Sequence, residues 1–183
     1  IACYEAALRV LTEADRLILR DADTGKELVR LQEGGKAPFA FSSDGRWLAA
    51  GQQSGDVLVW DVEHPARPPL RIQRYRPLIV QKATDLPLVF PAVAYAGGFR
   101  FAVIEQSGEA EIRSPGSTRP QRTYSVGADV SAVASDRQGT MLAIGHRNGT
   151  VTLSSLPDGR PLQSLTGHSG KVEGITFSPD GRL

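Results

Sequence analysis

Few residues in this chain could do chemistry: three histidines, His64, His146 and His168, and one cysteine, Cys3. A zinc site draws on Cys and His ligands at short, characteristic spacings, and no pair among these four has one. Nucleophilic catalysis by Cys3 would need a base to generate the thiolate, and no partner for it is evident. The chain also lacks a Gly-rich phosphate loop at a strand-to-helix junction and a Gly-x-Ser-x-Gly nucleophile elbow. These residues predict no catalytic site, no metal and no cofactor.

One basic grouping stands out. Arg67, Arg71, Arg74 and Arg76 surround Tyr75 in a Pro-rich stretch, where guanidinium groups could grip phosphate while the ring stacks on a base. A second basic stripe is missing and the formal net charge is only +1. A solvated outer strand and loop, broken by prolines, accounts better for the segment, and nucleic acid is not an expected partner.

With 40% hydrophobic and 22% charged residues, the 183-residue chain has the composition of an ordinary folded domain. No apolar run approaches the roughly 18 residues of a membrane span, so membrane insertion is not expected. The first residues lack the basic region and apolar core of a secretory signal, and a single cysteine cannot form an intramolecular disulfide. A cytoplasmic location follows as an expectation. Arginine outnumbers lysine by 17 to 4, a bias that suits a GC-rich bacterial genome.

The elements that must position these residues are short strands. Asp44-Gly45, Asp158-Gly159 and Asp180-Gly181 supply the positive-φ positions of tight turns, so these aspartates mark chain reversals. Aligned turns at Gly45, Gly98, Gly139 and Gly181 lie 53, 41 and 42 residues apart. Four short strands repeated with a period of about 40 to 45 residues are the signature of a propeller, and the longest interval locates an insertion. Between the turns, β-branched-rich runs predict strands over 7–11, 17–21 and 27–31; 39–41, 47–51, 57–61 and 70–73; 92–95, 99–104, 110–113 and 122–125; 130–134, 141–145, 150–154 and 161–165; and 172–177. Segments 47–51 and 141–145 are apolar without strict alternation, as when neighbouring sheets cover both faces of a strand.

Two stretches carry a family likeness. One runs from Leu165 through Gly167-His168 and an apolar strand to the turn Ser178-Pro179-Asp180-Gly181. The other runs from Phe41 through Asp44-Gly45 to Gly51 and on to Val57, ending in Trp60-Asp61. Together they resemble the WD40 repeat. The resemblance implies an all-β fold, a β-propeller of WD40 type with consecutive four-stranded antiparallel blades, incomplete at both ends. Residues 1–37 would end one blade, 38–74 form the next, 75–90 an insertion, 91–127 and 128–167 two further blades, and 168–183 the start of another. The first strand of the opening unit is expected to be missing, and the remaining blades to come from the rest of the polypeptide.

In that family a His between blades, an Asp before the third strand, a Ser or Thr on the second strand and the Trp form a buried hydrogen-bonded set. His168 and Trp60 match two of those positions in different repeats, with Gly167 and Asp61 beside them as structural residues. The Asp position is taken by Ser54, Ser107 and Asn148. The resemblance also implies a noncatalytic scaffold that binds protein partners, within a larger multidomain regulatory protein. Its rim would present Gln52, Gln53, Ser54, His146, Arg147, Asn148, Ser169 and Lys171. Ser-Pro-Asp-Gly turns also resemble TolB-like and oligopeptidase propellers, so the alternative is a propeller that gates or regulates an attached hydrolase.

Overall fold

The computed structural model describes residues 3–4, 8–13, 16–21, 23–31, 36–52, 54–73, 92–105, 107–178 and 181. Every regular element among them is a strand, and none is a helix long and apolar enough to cross a membrane. The strands fall into four antiparallel sheets, each built from four strands consecutive in the chain. The first holds β1 (Cys3–Tyr4), β2 (Leu8–Glu13), β3 (Arg16–Asp21) and β4 (Glu27–Arg30). The second holds β5 (Lys36–Phe41), β6 (Trp47–Gly51), β7 (Val57–Asp61) and β8 (Leu70–Ile72). The third holds β9 (Ala92–Tyr95), β10 (Phe101–Ile104), β11 (Glu109–Arg113) and β12 (Arg122–Ser125). The fourth holds β13 (Val130–Ser135), β14 (Met141–His146), β15 (Val151–Ser155) and β16 (Pro161–Leu165).

Side-chain alternation explains how these sheets stack. Successive residues of a strand point to opposite faces, and in the second and third sheets both faces meet a neighbouring sheet. In β7, Leu58 and Trp60 join Leu17, Leu19 and Leu48 in a core shared with the first sheet. Val57 and Val59 turn the other way and pack with Val93, Tyr95, Phe101 and Val103 of the third. β10 repeats the pattern: its Ala102 and Ile104 pack with Val130, Leu142 and Ile144 of the fourth sheet. Trp60 is 1% exposed, so its large apolar surface is spent between sheets. The first strands β5, β9 and β13 lie beside one another in succession, and the fourth strands run along the outside with largely exposed residues.

Three local expectations need correction. The opening unit has a first strand: Cys3 and Tyr4 pair with Arg9 and Leu8. Residues 99 and 100 do not begin β10, because Gly97, Gly98 and Phe99 all take positive φ in a turn closed by the Arg100 N–H on the Gly97 carbonyl at 3.1 Å. Residues 172–177 form no ladder, and of them only Val172 is buried. A strand forms by pairing its backbone groups with a neighbour; here the backbone contacts are the Val172 N–H on the His146 carbonyl at 3.2 Å and the Ser131 hydroxyl on the Val172 carbonyl at 2.8 Å. The expected insertion at 75–90 lies outside the described residues.

Candidate interaction surface

The β14–β15 turn and the segment that follows β16 are pressed together. The first joins β14 to β15 and carries Arg147 and Asn148, both exposed. Its shape is fixed by the Arg147 N–H on the Asp129 carbonyl at 3.0 Å and the Thr150 N–H on Asn148 Oδ1 at 3.0 Å. Gly149 follows at φ +86°, and a Cβ there would lie 2.3 Å from the His168 carbonyl oxygen and 2.9 Å from that of Gly170. Only glycine accommodates both the left-handed backbone and that approach. The segment after β16 is thereby seated on the turn, and it presents Ser169 and Lys171, both exposed. The Lys171 ammonium pairs with the Glu173 carboxylate at 2.9 Å.

Arg147 and Lys171 flank a cleft of about 310 Å³. Its walls include Ala92 and Ile104 of the third sheet, Val130 and Val133 of β13, and Ile175. Ser131 and Glu173 also line it, so the cleft combines apolar walls with polar and charged groups, as recognition sites do.

His146 does not belong to this rim. It extends β14 by one residue, pairs with Val130 and is 7% exposed. Its Nδ1 lies 2.9 Å from the Ala128 carbonyl and its Nε2 3.1 Å from Thr152 Oγ1. A carbonyl can only accept, so Nδ1 carries a proton and donates it to Ala128, while Nε2 and the Thr152 hydroxyl share the second hydrogen bond. His146 therefore props the turn from beneath. Gln52 and Ser54 sit in the β6–β7 turn, which the Gln52 N–H closes on the Asp56 carbonyl at 2.8 Å; neither lines the cleft. Gln53 is outside the described residues.

Among the described residues, His168 and Trp60 are not brought together. Gly167 and His168 are exposed beyond the fourth sheet, whereas Trp60 is enclosed between the first and second. Residues matched in different repeats have no reason to meet. Buried polar ties occur elsewhere instead. The Asp136 carboxylate, buried in the β13–β14 turn, accepts from Thr140 N, Thr140 Oγ1 and Met141 N, each at 2.7 Å. Ser42 holds the corresponding place three residues before a turn glycine, and its hydroxyl accepts from Trp47 N at 2.9 Å. That shared offset is the signal by which sequence reasoning could have found both.

A second polar cluster closes the loop after β7. Asp61 is 8% exposed and faces Arg46 Nη2 at 3.1 Å, His64 Nδ1 at 3.0 Å and Arg67 Nη1 at 3.8 Å. Burial raises the carboxyl pKa, but hydrogen bonds from Arg46 and His64 outweigh it and hold Asp61 below its usual range. Asp61, Glu63 and His64 each place one donor atom within 4.8 Å of the others, as metal ligands do. Arg46 also reaches Glu63 at 3.5 Å, so the positive charge these carboxylates meet is already supplied by arginine. Of the basic grouping around Tyr75, Arg67 is engaged here and Arg71 pairs with Asp56 at 2.9 Å; Arg74, Tyr75 and Arg76 lie outside the described residues.

Comparison with known proteins matches residues 39–61 and 159–183 to the family model described as WD domain, G-beta repeat. No curated protein sequence matches the chain. Among solved structures, a chain of the crystal structure of the mitotic checkpoint complex superposes with a TM-score of 0.69 at 18% identity, over 94% of this chain and 50% of that one. The Cps50 (Swd1) β-propeller domain of Myceliophteria thermophila superposes with a TM-score of 0.67 at 16% identity, over 97% of this chain and 58% of the other. The chain thus spans between half and two thirds of the length of these propellers. Four consecutive four-stranded sheets and these neighbours show a β-propeller fold, and the two segments similar to the WD domain, G-beta repeat model contain the Gly167-His168 and Trp60-Asp61 stretches.

Proposed function

We propose that this chain is a noncatalytic protein–protein interaction scaffold within a larger multidomain regulatory protein. WD40 propellers generally bind protein partners, and one structural neighbour is a chain of a checkpoint assembly. The observation that carries the reading here is that Arg147 and Lys171, from turns far apart in sequence, flank one cleft with an apolar wall. The β14–β15 turn projects from a sheet whose Val130, Leu142 and Ile144 pack in a core with the third sheet, and its exposed residues Arg147 and Asn148 are available for recognition. The partner is a protein rather than nucleic acid, in keeping with a net charge of +1, and a cytoplasmic setting is part of the same reading.

The test uses the intact protein and a variant carrying Arg147→Glu and Lys171→Glu, each captured from its own cells after cross-linking. The expected result is loss of a specific protein from the variant with an unchanged thermal midpoint. The same set of proteins on both would overturn the assignment of this surface.

A further inference from the structure

The chain contains a single asparagine, Asn148, exposed in the turn between β14 and β15, and it precedes Gly149, which is buried there. Two hydrogen bonds set the reactivity of this pair. The Thr150 N–H donates to Asn148 Oδ1 at 3.0 Å, which polarises the side-chain carbonyl and makes its carbon more electrophilic. The Gly149 N–H donates to the His146 carbonyl at 3.1 Å, which retains the proton that this nitrogen must lose before it can attack. Glycine removes the remaining obstacle, since no Cβ screens the nitrogen.

We propose that Asn148–Gly149 is a site of spontaneous deamidation, gated by opening of the β14–β15 turn, at which the interaction surface acquires a carboxylate. The deprotonated Gly149 nitrogen attacks Cγ of Asn148, and a bond forms that closes a five-membered succinimide. The bond from Cγ to the side-chain nitrogen breaks, and that nitrogen takes up a proton and leaves as ammonia. Water then opens the ring. Attack at Cγ leaves aspartate with the normal backbone, and attack at the main-chain carbonyl leaves isoaspartate, with the chain routed through the side chain.

Both products alter the surface. Aspartate places a negative charge next to the Arg147 guanidinium. Isoaspartate lengthens the backbone in a turn where Gly149 is already seated against the His168 and Gly170 carbonyls. The His146 carbonyl also accepts from Val172 N, so a distorted turn loosens the segment that forms one wall of the cleft. The intact turn resists this chemistry, because attack requires the Gly149–His146 bond to open first.

The test incubates the intact protein in mildly alkaline buffer, folded and in urea, and follows conversion of amide to acid at residue 148 by peptide mass spectrometry, with Asn148→Gln as the control that removes the signal. Conversion should occur in the folded protein at a rate at least about tenfold below that of the unfolded chain, the factor set by an opening cost of about 1.4 kcal/mol. Urea well below the global transition should accelerate it. Absence of product in the folded protein while the unfolded chain converts fully would overturn the proposal. Equal rates in the two states would overturn the gating.

Discussion

The Tyr124 ring on β12 lies across Gly159 in the turn between β15 and β16, so closely that a Cβ on the glycine would sit 2.2 Å from Cδ2 of the ring. This contact clasps the outer edges of the third and fourth sheets. Burial of the phenol, with the Asp158 carboxylate adding to it, pushes its pKa up to about 12, so the ring stays neutral. Gly159→Ala should cost about 2–4 kcal/mol, from overpacking and from the left-handed backbone at φ +69°. Gly116 is the comparison: φ is +80° and no atom lies within 4 Å of its would-be Cβ, so Gly116→Ala should cost only about 1 kcal/mol. Urea denaturation of both variants measures the difference, and equal costs would mean that the clasp is not tight.

Asp61 ties the loop after β7 to the sheet through Arg46 and His64. Asp61→Asn should destabilise by about 1–3 kcal/mol, because it leaves partly buried donors with a weaker acceptor. The pH dependence follows from the lowered pKa. A carboxyl depressed in the folded state contributes fully above its unfolded value, 3.8, and the contribution is lost as pH falls through the folded value. The gap between the native protein and the Asp61→Asn variant should therefore shrink as the pH falls below about 4. Urea midpoints at several pH values check this; a gap that widened in acid would refute the assignment.

Trp60→Ala should cost about 3–5 kcal/mol, the range for emptying a large aromatic site. Its neighbours Leu17, Leu19, Leu48 and Leu58 come from three strands in two sheets, so no one of them can move to fill the space. Trp60→Phe should recover more than half of that loss in thermal denaturation. A small effect of the alanine variant would show that the first two sheets contribute little to cooperative folding.

The strand pattern was legible because turn chemistry and strand composition are local. Glycines at positive φ, as at Gly45 and Gly139, mark the hairpins within a residue or two. The apolar runs 47–51 and 57–61 coincide with β6 and β7. What escaped was set by tertiary partners. Residues 172–177 have strand-like composition, yet composition cannot provide a ladder partner. Cys3 and Tyr4 look like an irregular terminus, yet a neighbouring strand makes them β1. His146 looks like a turn residue beside Arg147, and its burial depends on Ala128, which is 18 positions away in the chain.

His146 and Arg147 are adjacent in sequence and opposite in role, and one pair of measurements separates them. His146→Ala removes the donor to the Ala128 carbonyl and the hydrogen-bond partner of the Thr152 hydroxyl, and it leaves a cavity beside Gly127, whose would-be Cβ lies 3.2 Å from the imidazole Cε1. The expected cost is about 1–3 kcal/mol from unsatisfied groups. Arg147 is exposed, so Arg147→Glu should shift stability by less than about 0.5 kcal/mol while weakening partner capture. Thermal midpoints and cross-linked capture, read side by side on both variants, should give a lowered midpoint for the first and lost capture at unchanged midpoint for the second. If His146→Ala lost capture without loss of stability, the ring would be part of the recognition surface and not its support.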